Sequence, residues 1–397
     1  MNTSPNEFIL LSALPAQRGP GGGLVLTQKY LNGVSEYAKR WPGKVSTLVR
    51  VNEERSSDMD HVEIMPGDLP FGLEERPDTD HALAARLRDA AVVLAFLCPE
   101  EAPTASLCKQ LGVPIVYVSE YSLKTEKQII DAGVLNPLRR WKRKWSATRG
   151  ERIRLQALGI AAGIQCSGTP TYEVYRHVNP NALLFFDNRV RLDDVIDDAA
   201  LAGRAQTLLD DRPLRLVFGG RLIPMKGAHH LPLVARELAQ RGVRFQFDIF
   251  GSGALETSMR TDIESFGLSK CVRMRGVLDF EKEWVPMLKT NVDLFVCCHP
   301  QGDPSSMYPE VMACGVPIAG YDNDAFKGIV EHSGSGWLTP INEPVKLADV
   351  IAQLDACRKD IQSASFKARD FAAKHALENT FTARTHHLIR LSRKPSE

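Results

Sequence analysis

The chain has no apolar run near the ~20 residues needed to cross a bilayer. Its first residues also lack the basic start and long apolar core of a signal peptide. These absences predict a soluble, unsecreted protein of the cytoplasm. An excess of one charge is missing as well, because 49 Lys and Arg stand against 48 Asp and Glu for a net charge of +1. No nucleic-acid partner is expected from this balance.

The cysteines form no C-x-x-C pair among their eight positions, which predicts reduced thiols rather than disulfides or a zinc site. Cys297, Cys298 and His299 are adjacent and raise the question of a metal. Consecutive strand residues point to opposite faces, so this spacing is poor for chelation. Core packing is the favoured interpretation, and no metal site is expected.

Alternating strand and helix patterns fill almost the whole sequence, whose 397 residues favour two domains. In the first half, FILLSAL, KVSTLVRV, HVEIMP, AVVLAFLC and PIVYVSEY are strand candidates, whereas LVLTQKYLNGVSEYAKRW has helical spacing. After about residue 190 the alternation restarts with LRLVFGG, FQFDIFG, CVRMRGV, VDLFVCC and PIAGY. The predicted fold class is α/β with doubly wound parallel sheets, in which ligands bind at the carboxyl ends of strands.

Two loops at predicted strand ends have the chemistry of a phosphate site. In GGRLIPMKG, residues 219–227, Gly220 allows close backbone approach, and Arg221 and Lys226 supply two cations. A loop with two solvated charges is an equally good interpretation. In GSGALE, residues 251–256, Gly251 fits a phosphate loop or simply a tight turn.

The stretch HPQGDPSSMYPEVMACGVPIAG, residues 299–320, places a lone carboxylate, Glu310, in a helix of small and apolar residues. Ser305 and Ser306 are typical N-cap residues, and Pro309 suits the first helical turn. Backbone N–H groups at Ser305, Ser306 and Met307 would then be available to an anion.

The order GGRL-x3-KG, strand-GSG, RGV and strand-loop-E-x-MACGVPI closely resembles the donor-binding half of GT-B glycosyltransferases, in particular retaining family 4. The resemblance is strong over residues 213–342 and weaker over the first 190. It implies two Rossmann-like domains around a cleft. Residues 1–190 would bind the acceptor and 191–365 the nucleotide-sugar donor, with helices of 366–397 packing back on the first domain.

The resemblance also implies residue roles. Arg221 and Lys226 would hold the donor diphosphate, and Glu310 would accept hydrogen bonds from the ribose hydroxyls. The remaining implied donor contacts are Gly220, Gly251, Val277, Ser305, Ser306, Met307 and the glycine-rich loop Gly21, Gly22 and Gly23. Transfer would proceed on one face of the sugar, with a leaving phosphate oxygen taking the acceptor proton. No metal or other cofactor would be needed.

The chain departs from the family pattern at two points. In E-x7-E the first Glu contacts the transferred sugar, but Gly302 stands eight residues before Glu310, with Asp303 next to it. Either Asp303 takes that role or the sugar is held differently. Family members often carry a His after the strand matching PIVYV, where this chain has Glu120, which is a candidate to orient a hydroxyl. The catalytic candidates are therefore Arg221, Lys226, Glu120 and Asp303.

Residues 135–156 are densely basic and include Trp141 and Trp145 at i, i+4 spacing. They are consistent with peripheral contact at an anionic membrane carrying a lipid-linked acceptor. A solvated helix face with the tryptophans packed inward is the simpler interpretation.

The resemblance favours a UDP-sugar donor, with a GDP-sugar as the second choice, and a glycan or glycolipid acceptor in bacterial surface polysaccharide synthesis. Two other classes remain open. A nucleotide-sugar epimerase or a phosphorylase shares the architecture, and a non-catalytic module that binds nucleotide sugar or glycan would explain the missing first Glu.

Overall fold

Apolar strands buried on both faces determine the architecture of the protein. In the computed structural model, which describes residues 6–52 and 60–393, all six residues from Ala90 to Ala95 are buried. Such continuous apolar strands are typical of parallel sheets covered by helices on both sides. Two parallel sheets are present, one in each half of the chain. The predicted α/β class with two doubly wound domains is confirmed.

The N-terminal domain contains a seven-stranded parallel sheet of order β10-β9-β8-β7-β1-β4-β6 and a small antiparallel sheet of order β2-β3-β5. Its strands are β1 (Glu7–Leu11), β2 (Gln17–Arg18), β3 (Leu24–Thr27), β4 (Val45–Val49), β5 (His61–Ile64), β6 (Gly72–Glu75), β7 (Ala90–Phe96), β8 (Ile115–Ser119), β9 (Gly163–Ser167) and β10 (Ala182–Phe185). Its helices are α1 (Gln28–Ala38), α2 (Asp80–Leu87), α3 (Pro103–Leu111), α4 (Leu123–Gly133), α5 (Pro137–Ile160) and α6 (Thr169–Tyr175).

The C-terminal domain contains a six-stranded parallel sheet of order β13-β12-β11-β14-β15-β16. Its strands are β11 (Leu214–Gly219), β12 (Phe245–Phe250), β13 (Val272–Gly276), β14 (Leu294–Cys297), β15 (Ile318–Tyr321) and β16 (Trp337–Thr339). The helices of the second half are α7 (Asp198–Thr207), α8 (Leu231–Gln240), α9 (Glu256–Ser265), α10 (Val285–Asn291), α11 (Met307–Ala313), α12 (Asp324–Ser333), α13 (Pro344–Ala356), α14 (Arg358–Lys374) and α15 (Leu377–Leu391).

The strand order of the C-terminal sheet indicates where a ligand can bind. From β11 the chain proceeds outward to β12 and β13, and it then returns to the other side of β11 as β14. At such a switch point the connections after the two central strands run in opposite directions along the sheet, and ligands bind outside the carboxyl ends of those strands. Loop 219–227 carries the predicted diphosphate residues, and loop 298–306 leads into α11, which carries the predicted ribose residue Glu310.

Two sequence predictions about the N-terminal domain are wrong. The segment LVLT was predicted as the start of a helix, but it forms β3, and α1 begins only at Gln28 after the N-cap Thr27. The segment HVEIMP was predicted for the parallel sheet, but β5 pairs antiparallel with β3 outside it. In both cases pairing between distant segments decides the outcome, and the local apolar pattern does not encode it.

The last two helices pack on different domains. Helix α14 packs on α11, α12 and α7 of the C-terminal domain, and α15 crosses back to the N-terminal domain. There Arg384 Nε donates to Gln165 Oε1 at 2.8 Å, and the Phe381 ring meets Tyr37 edge-on at 5.0 Å. The predicted boundary at residue 366 falls inside α14. Within the described residues, no helix is both long and apolar enough to cross a bilayer.

Candidate functional site

The first cationic loop follows β11 and lies against the loop after β12. Gly220 has a φ of 154° and Gly251 a φ of 128°. A Cβ on Gly251 would meet the Gly220 carbonyl oxygen at 1.9 Å, so the two loops can touch only because glycine lacks a side chain. This contact fixes the backbone beside Arg221. The Arg221 side chain is exposed and has no ion-pair partner in the part of the chain that the structure describes.

Lys226, the second predicted cation, contacts the loop after β14. Its Nζ lies 2.5 Å from Asp303 Oδ2, and both side chains are nearly buried. The neighbouring Gly227 has a φ of 62°, and a Cβ there would meet the Cys298 carbonyl oxygen at 1.9 Å. The two loops are therefore in direct contact. Asp303, one of the predicted catalytic residues, therefore forms an ion pair with the lysine that is assigned to the diphosphate.

Glu310 lies on α11 and is only 5% exposed. Its Oε1 accepts a hydrogen bond from Arg189 Nε at 3.2 Å, and Arg189 belongs to the segment that joins the two domains. The Arg189 guanidinium also lies over the Phe280 ring, 3.9 Å from its centroid. Glu310 is therefore a buried carboxylate with a cationic partner that comes from outside the C-terminal sheet.

The start of α11 differs in part from the expected geometry. Ser306 occupies the N-cap position, but its side chain makes no capping hydrogen bond. Ser305 instead donates its backbone N–H to the Asp303 carbonyl at 2.8 Å. The loop before α11 is thus closed by a backbone contact, and Ser306 occupies the predicted N-cap position without forming a side-chain capping bond.

Glu120 approaches this loop cluster from the N-terminal domain, where it follows β8. Glu120 is exposed, yet partial desolvation by the surrounding protein raises the pKa of its carboxyl group, and the charges of Asp187 and Asp303 raise it further. Its neighbour Tyr121 is subject to opposing influences. Burial raises the pKa of Tyr121, while the charge of Arg221 acts to lower it. These mutual effects place the predicted residues of both domains at one cleft.

Loop 301–303 also forms contacts between the two domains. The Gly302 carbonyl accepts from Thr125 Oγ1 at 3.3 Å, and the Gly302 N–H donates to Gln128 Oε1 at 3.2 Å. A second pair joins Lys124 to Asp324 at 2.7 Å. Gly302, which stands where the family pattern has its first Glu, is thus part of the contact between domains.

Gln301, immediately before this contact, is 1% exposed, and neither its amide nitrogen nor its amide oxygen has a hydrogen-bond partner among the described residues. A buried polar group without a partner costs roughly 1–3 kcal/mol. Gln301 is therefore a buried residue of the loop after β14 with unused hydrogen-bonding capacity.

The glycine-rich loop, Gly21 to Gly23, is a turn between β2 and β3. The Gly21 and Gly23 N–H groups donate to Glu63 Oε1 at 2.9 and 3.1 Å. A Cβ on Gly19 would meet the Glu63 carboxyl carbon at 2.1 Å, so the carboxylate is enclosed by the loop. Two N–H groups that the resemblance assigns to phosphate are therefore bound by a side chain of β5. Val277, another implied donor contact, is 72% exposed after β13.

The second half of the chain matches a known family. The family model described as glycosyl transferases group 1 aligns with residues 202–370, which include Arg221, Lys226, Asp303 and Glu310. The chain carries a glycosyl transferases group 1 domain.

Curated relatives match part of the chain. It is 29% identical over 169 residues to the putative colanic acid biosynthesis glycosyltransferase WcaL of Salmonella typhimurium, which covers 41% of each chain. It is 28% identical over 165 residues to the amylovoran biosynthesis glycosyltransferase AmsK of Erwinia amylovora, covering 40% of each. The aligned region thus spans about two fifths of these relatives.

The fold match extends over both domains. The crystal structure of HepE from Anabaena in complex with UDP aligns with a TM-score of 0.66 and 13% identity, covering 97% of this chain and 99% of that one. At this identity the match shows the fold, which is GT-B.

Sequence reasoning missed several residues around the group 1 domain. Lys29 pairs with Asp187 at 2.8 Å. Desolvation would lower the pKa of Lys29, but Asp187, Glu310 and Glu120 outweigh it and raise the pKa. Asp187 directly follows the apolar run of β10. The expectation that ligand-binding residues follow the carboxyl ends of strands could therefore have identified it. Arg189 carried no local signal.

Among the residues that the structure describes, no three His, Cys, Asp or Glu side chains are grouped as a metal ion would require. His299, adjacent to Cys297 and Cys298, is 1% exposed. Its Nδ1 lies 3.3 Å from the Tyr308 hydroxyl oxygen. It therefore contributes to core packing behind the group 1 site.

Glu120→Gln tests the raised pKa. A carboxyl group whose pKa rises on folding does not destabilise the protein at a pH below its pKa in the unfolded chain, which is near 4.5. Stability is lost as the pH rises through the higher pKa of the folded state. The glutamine variant should therefore melt at a higher temperature than the parent at about pH 8 and at the same temperature at about pH 4. Melting curves at both pH values check this. The exposed Glu264→Gln serves as the control and should show no such pH-dependent difference.

Proposed function

We propose that the protein is a retaining glycosyltransferase that moves a sugar from a nucleotide sugar to a glycan or lipid-linked acceptor of a bacterial surface polysaccharide. The supporting observation is the cleft at the switch point, where Arg221 and Lys226 lie on the loop after β11 and Glu310 lies on α11, the helix after β14. The names of WcaL and AmsK, which refer to colanic acid and amylovoran biosynthesis, support a role in polysaccharide synthesis. The UDP bound to HepE supports a UDP-sugar over a GDP-sugar.

The chemistry follows from the charges. Cleavage of the bond to the anomeric carbon develops negative charge on the departing diphosphate, and preorganised cations stabilise that charge in the transition state. Arg221 offers a planar fork with no competing ion pair, and Lys226 offers a point charge. A phosphate oxygen on the leaving group accepts the proton of the attacking hydroxyl. Glu120, whose pKa is raised, orients a hydroxyl from the opposite side of the cleft.

The donor sugar is held by the loop that lacks the first family Glu. Asp303 is bound to Lys226, so its carboxylate lies beside the diphosphate subsite. Gln301 supplies an amide whose donors and acceptor are unused. Because the amide is buried, a shift of loop 301–303 on donor binding would bring it to the sugar hydroxyls, and pairing with them would remove the cost of leaving it unpartnered.

The test is incubation of the purified protein with UDP-, GDP- and ADP-sugars, with and without a lipid extract from a polysaccharide-producing bacterium. Acceptor-dependent release of one nucleotide with sugar in the lipid fraction is the expected result. Conversion of the donor to an epimer would instead identify an epimerase. Nucleotide-sugar binding without turnover under any condition would identify a non-catalytic module.

We expect catalysis to be independent of metal, since Arg221 and Lys226 supply the positive charge that Mg²⁺ supplies in other transferases. Turnover in excess EDTA should equal turnover in buffer with MgCl₂. An activity that EDTA abolishes and Mg²⁺ restores would contradict this expectation.

Peripheral contact with a membrane is part of the proposal and rests on α5. Leu138, Trp141 and Trp145 share one helix face and are 71%, 64% and 58% exposed, so the tryptophans do not pack inward. Five cations around them are exposed and have no acidic partner in the described residues: Arg139, Lys142, Arg143, Arg149 and Arg152. An exposed apolar stripe bordered by unpaired cations suits an anionic lipid surface.

The location of this face supports a lipid-linked acceptor. Helix α5 packs on α4, whose Thr125 contacts Gly302 at the cleft. Arg154 of α5 pairs with Glu126, next to Thr125, so Trp145 and Trp141 lie nine and thirteen residues from the cleft end of α5, roughly 14 and 20 Å along the helix. A membrane bound at the tryptophans would therefore lie about 20 Å from the cleft.

Replacement of both Trp141 and Trp145 by Ala should remove most of this binding. We expect the parent chain to sediment with vesicles of anionic phospholipid, to stay in solution with phosphatidylcholine alone, and to be released by high salt. Brominated lipids should quench the fluorescence of Trp141 and Trp145 in the parent chain. The double variant keeps the buried Trp41 and Trp284 and the half-buried Trp337, and it should show little quenching. Val345→Ala removes an exposed apolar residue of α13 and should change nothing. Equal sedimentation of parent and double variant would show that α5 is not the docking face.

A further inference from the structure

Arg189 packs on the Phe280 ring beside Glu310. Arg189 comes from the segment between β10 and α7, and Phe280 lies just after β13. The guanidinium carbon lies over the Phe280 ring, 3.9 Å from its centre. About half of the Arg189 side chain remains exposed. One face of the guanidinium is therefore packed on the ring, and the side chain retains surface for a further contact.

The Arg189 side chain is held by a second contact, because its Nε donates to Glu310 Oε1 at 3.2 Å. No described residue is hydrogen-bonded to Glu310 Oε2. A ribose can therefore bind Glu310 without displacing Arg189. The ion pair also holds the guanidinium beside the carboxylate assigned to the ribose.

We propose that Arg189, supported by Phe280, is the stacking platform for the nucleobase of the donor. The inference rests on the proposed function, because it takes Glu310 as the ribose ligand and the cations of loop 219–227 as diphosphate ligands. A base is attached directly to the ribose, so a ribose at Glu310 brings its base next to the side chain bound to Glu310. Every base has a π-face, and guanidinium groups stack on such faces. The platform therefore binds the base without selecting which base it is.

The location of Arg189 adds a mechanical consequence. The donor base would rest on a residue of the segment between the domains rather than on the C-terminal sheet. Asp187, two residues earlier, pairs with Lys29 of the N-terminal domain. A nucleotide bound at Arg189 would therefore contact the segment that joins the domains.

The test compares two ligands on two proteins by titration calorimetry. UDP carries the base, and ribose 5-diphosphate has the same ribose and diphosphate without it. In the parent chain the base should strengthen binding by about 5- to 100-fold, the range found when stacking contacts are removed. In Arg189→Ala that advantage should vanish, while ribose 5-diphosphate still binds. Arg189→Lys keeps a positive charge near Glu310 but lacks the planar guanidinium group. This variant should also lose most of the preference for UDP over ribose 5-diphosphate.

Arg191→Ala is the matched control, since Arg191 lies in the same segment but pairs with Glu36 and Glu378. The preference for UDP should survive in that variant. An undiminished preference in Arg189→Ala would overturn the platform. Tighter UDP binding in Arg189→Ala would also overturn it and would indicate that Arg189 obstructs the site. Absence of UDP binding by the parent chain would instead refute the proposed nucleotide site itself.

Discussion

Arg221→Ala is expected to lower kcat by about 10²-fold or more, the scale observed when one preorganised charge-stabilising donor is removed. The expectation rests on where this cation lies. Arg221 is exposed on the loop after β11 and makes no ion pair in the described chain, so its charge is not neutralised by the protein. Its loss should therefore affect the transition state, in which charge builds on the diphosphate, more than the folded structure.

Arg221 is a better probe than Lys226 for a structural reason. Removing Lys226 would leave the nearly buried Asp303 without its partner, and an unpaired buried charge destabilises the fold. A loss of activity in Lys226→Ala would then mix two effects. In Arg221→Ala the melting temperature should stay within a degree or two of the parent, so the kinetic loss can be assigned to catalysis.

Two further variants complete the Arg221 experiment. Arg221→Lys keeps the charge without the planar fork and should recover part of the activity. Arg260→Ala removes an exposed arginine of α9 that pairs with Glu256 and should leave kcat unchanged. Steady-state kinetics with saturating donor and acceptor give the comparison. A kcat for Arg221→Ala within a few-fold of the parent value would contradict its assignment to the diphosphate.

Features encoded within one strand-loop-helix unit could be predicted from the sequence. The strand predictions for the C-terminal domain are confirmed at β11 through β15, because each apolar run ends at a glycine or polar loop. Arg221 and Glu310 were found for the same reason, since both lie in loops or helices directly after such strands. Their assembly at one cleft follows from the strand order, which a parallel sheet with a switch point explains.

Contacts between distant segments could not be predicted. Arg189 meets Glu310 across 121 positions of sequence, and no local pattern marks such a pair. Glu63 binds the glycine-rich loop 40 residues away, so that loop's N–H groups have a protein partner where the resemblance suggests a phosphate. In the same way the i, i+4 spacing of Trp141 and Trp145 places them on one face of α5, but it does not say whether that face is covered by another element.

Glu310→Gln is expected to weaken nucleotide binding by about 10- to 100-fold, because hydrogen bonds to a charged group are worth ~1.5 to 3 kcal/mol each. The carboxylate accepts from two ribose hydroxyls at once, whereas an amide offers one acceptor and one donor group. Glutamine keeps the size of a side chain that is 5% exposed, so no cavity opens in α11. The variant therefore removes the charge while preserving the packing.

The thermal shift with UDP measures this effect directly, since a ligand that binds the native state stabilises it in proportion to ln(1 + [L]/Kd). We expect UDP to raise the melting temperature of the parent chain and to have little effect on Glu310→Gln at the same concentration. Pyrophosphate, which has no ribose, should shift both proteins alike, because its ligands are Arg221 and Lys226. An equal UDP shift in both proteins would show that Glu310 does not bind the ribose. The role of the buried carboxylate would then be limited to its ion pair with Arg189.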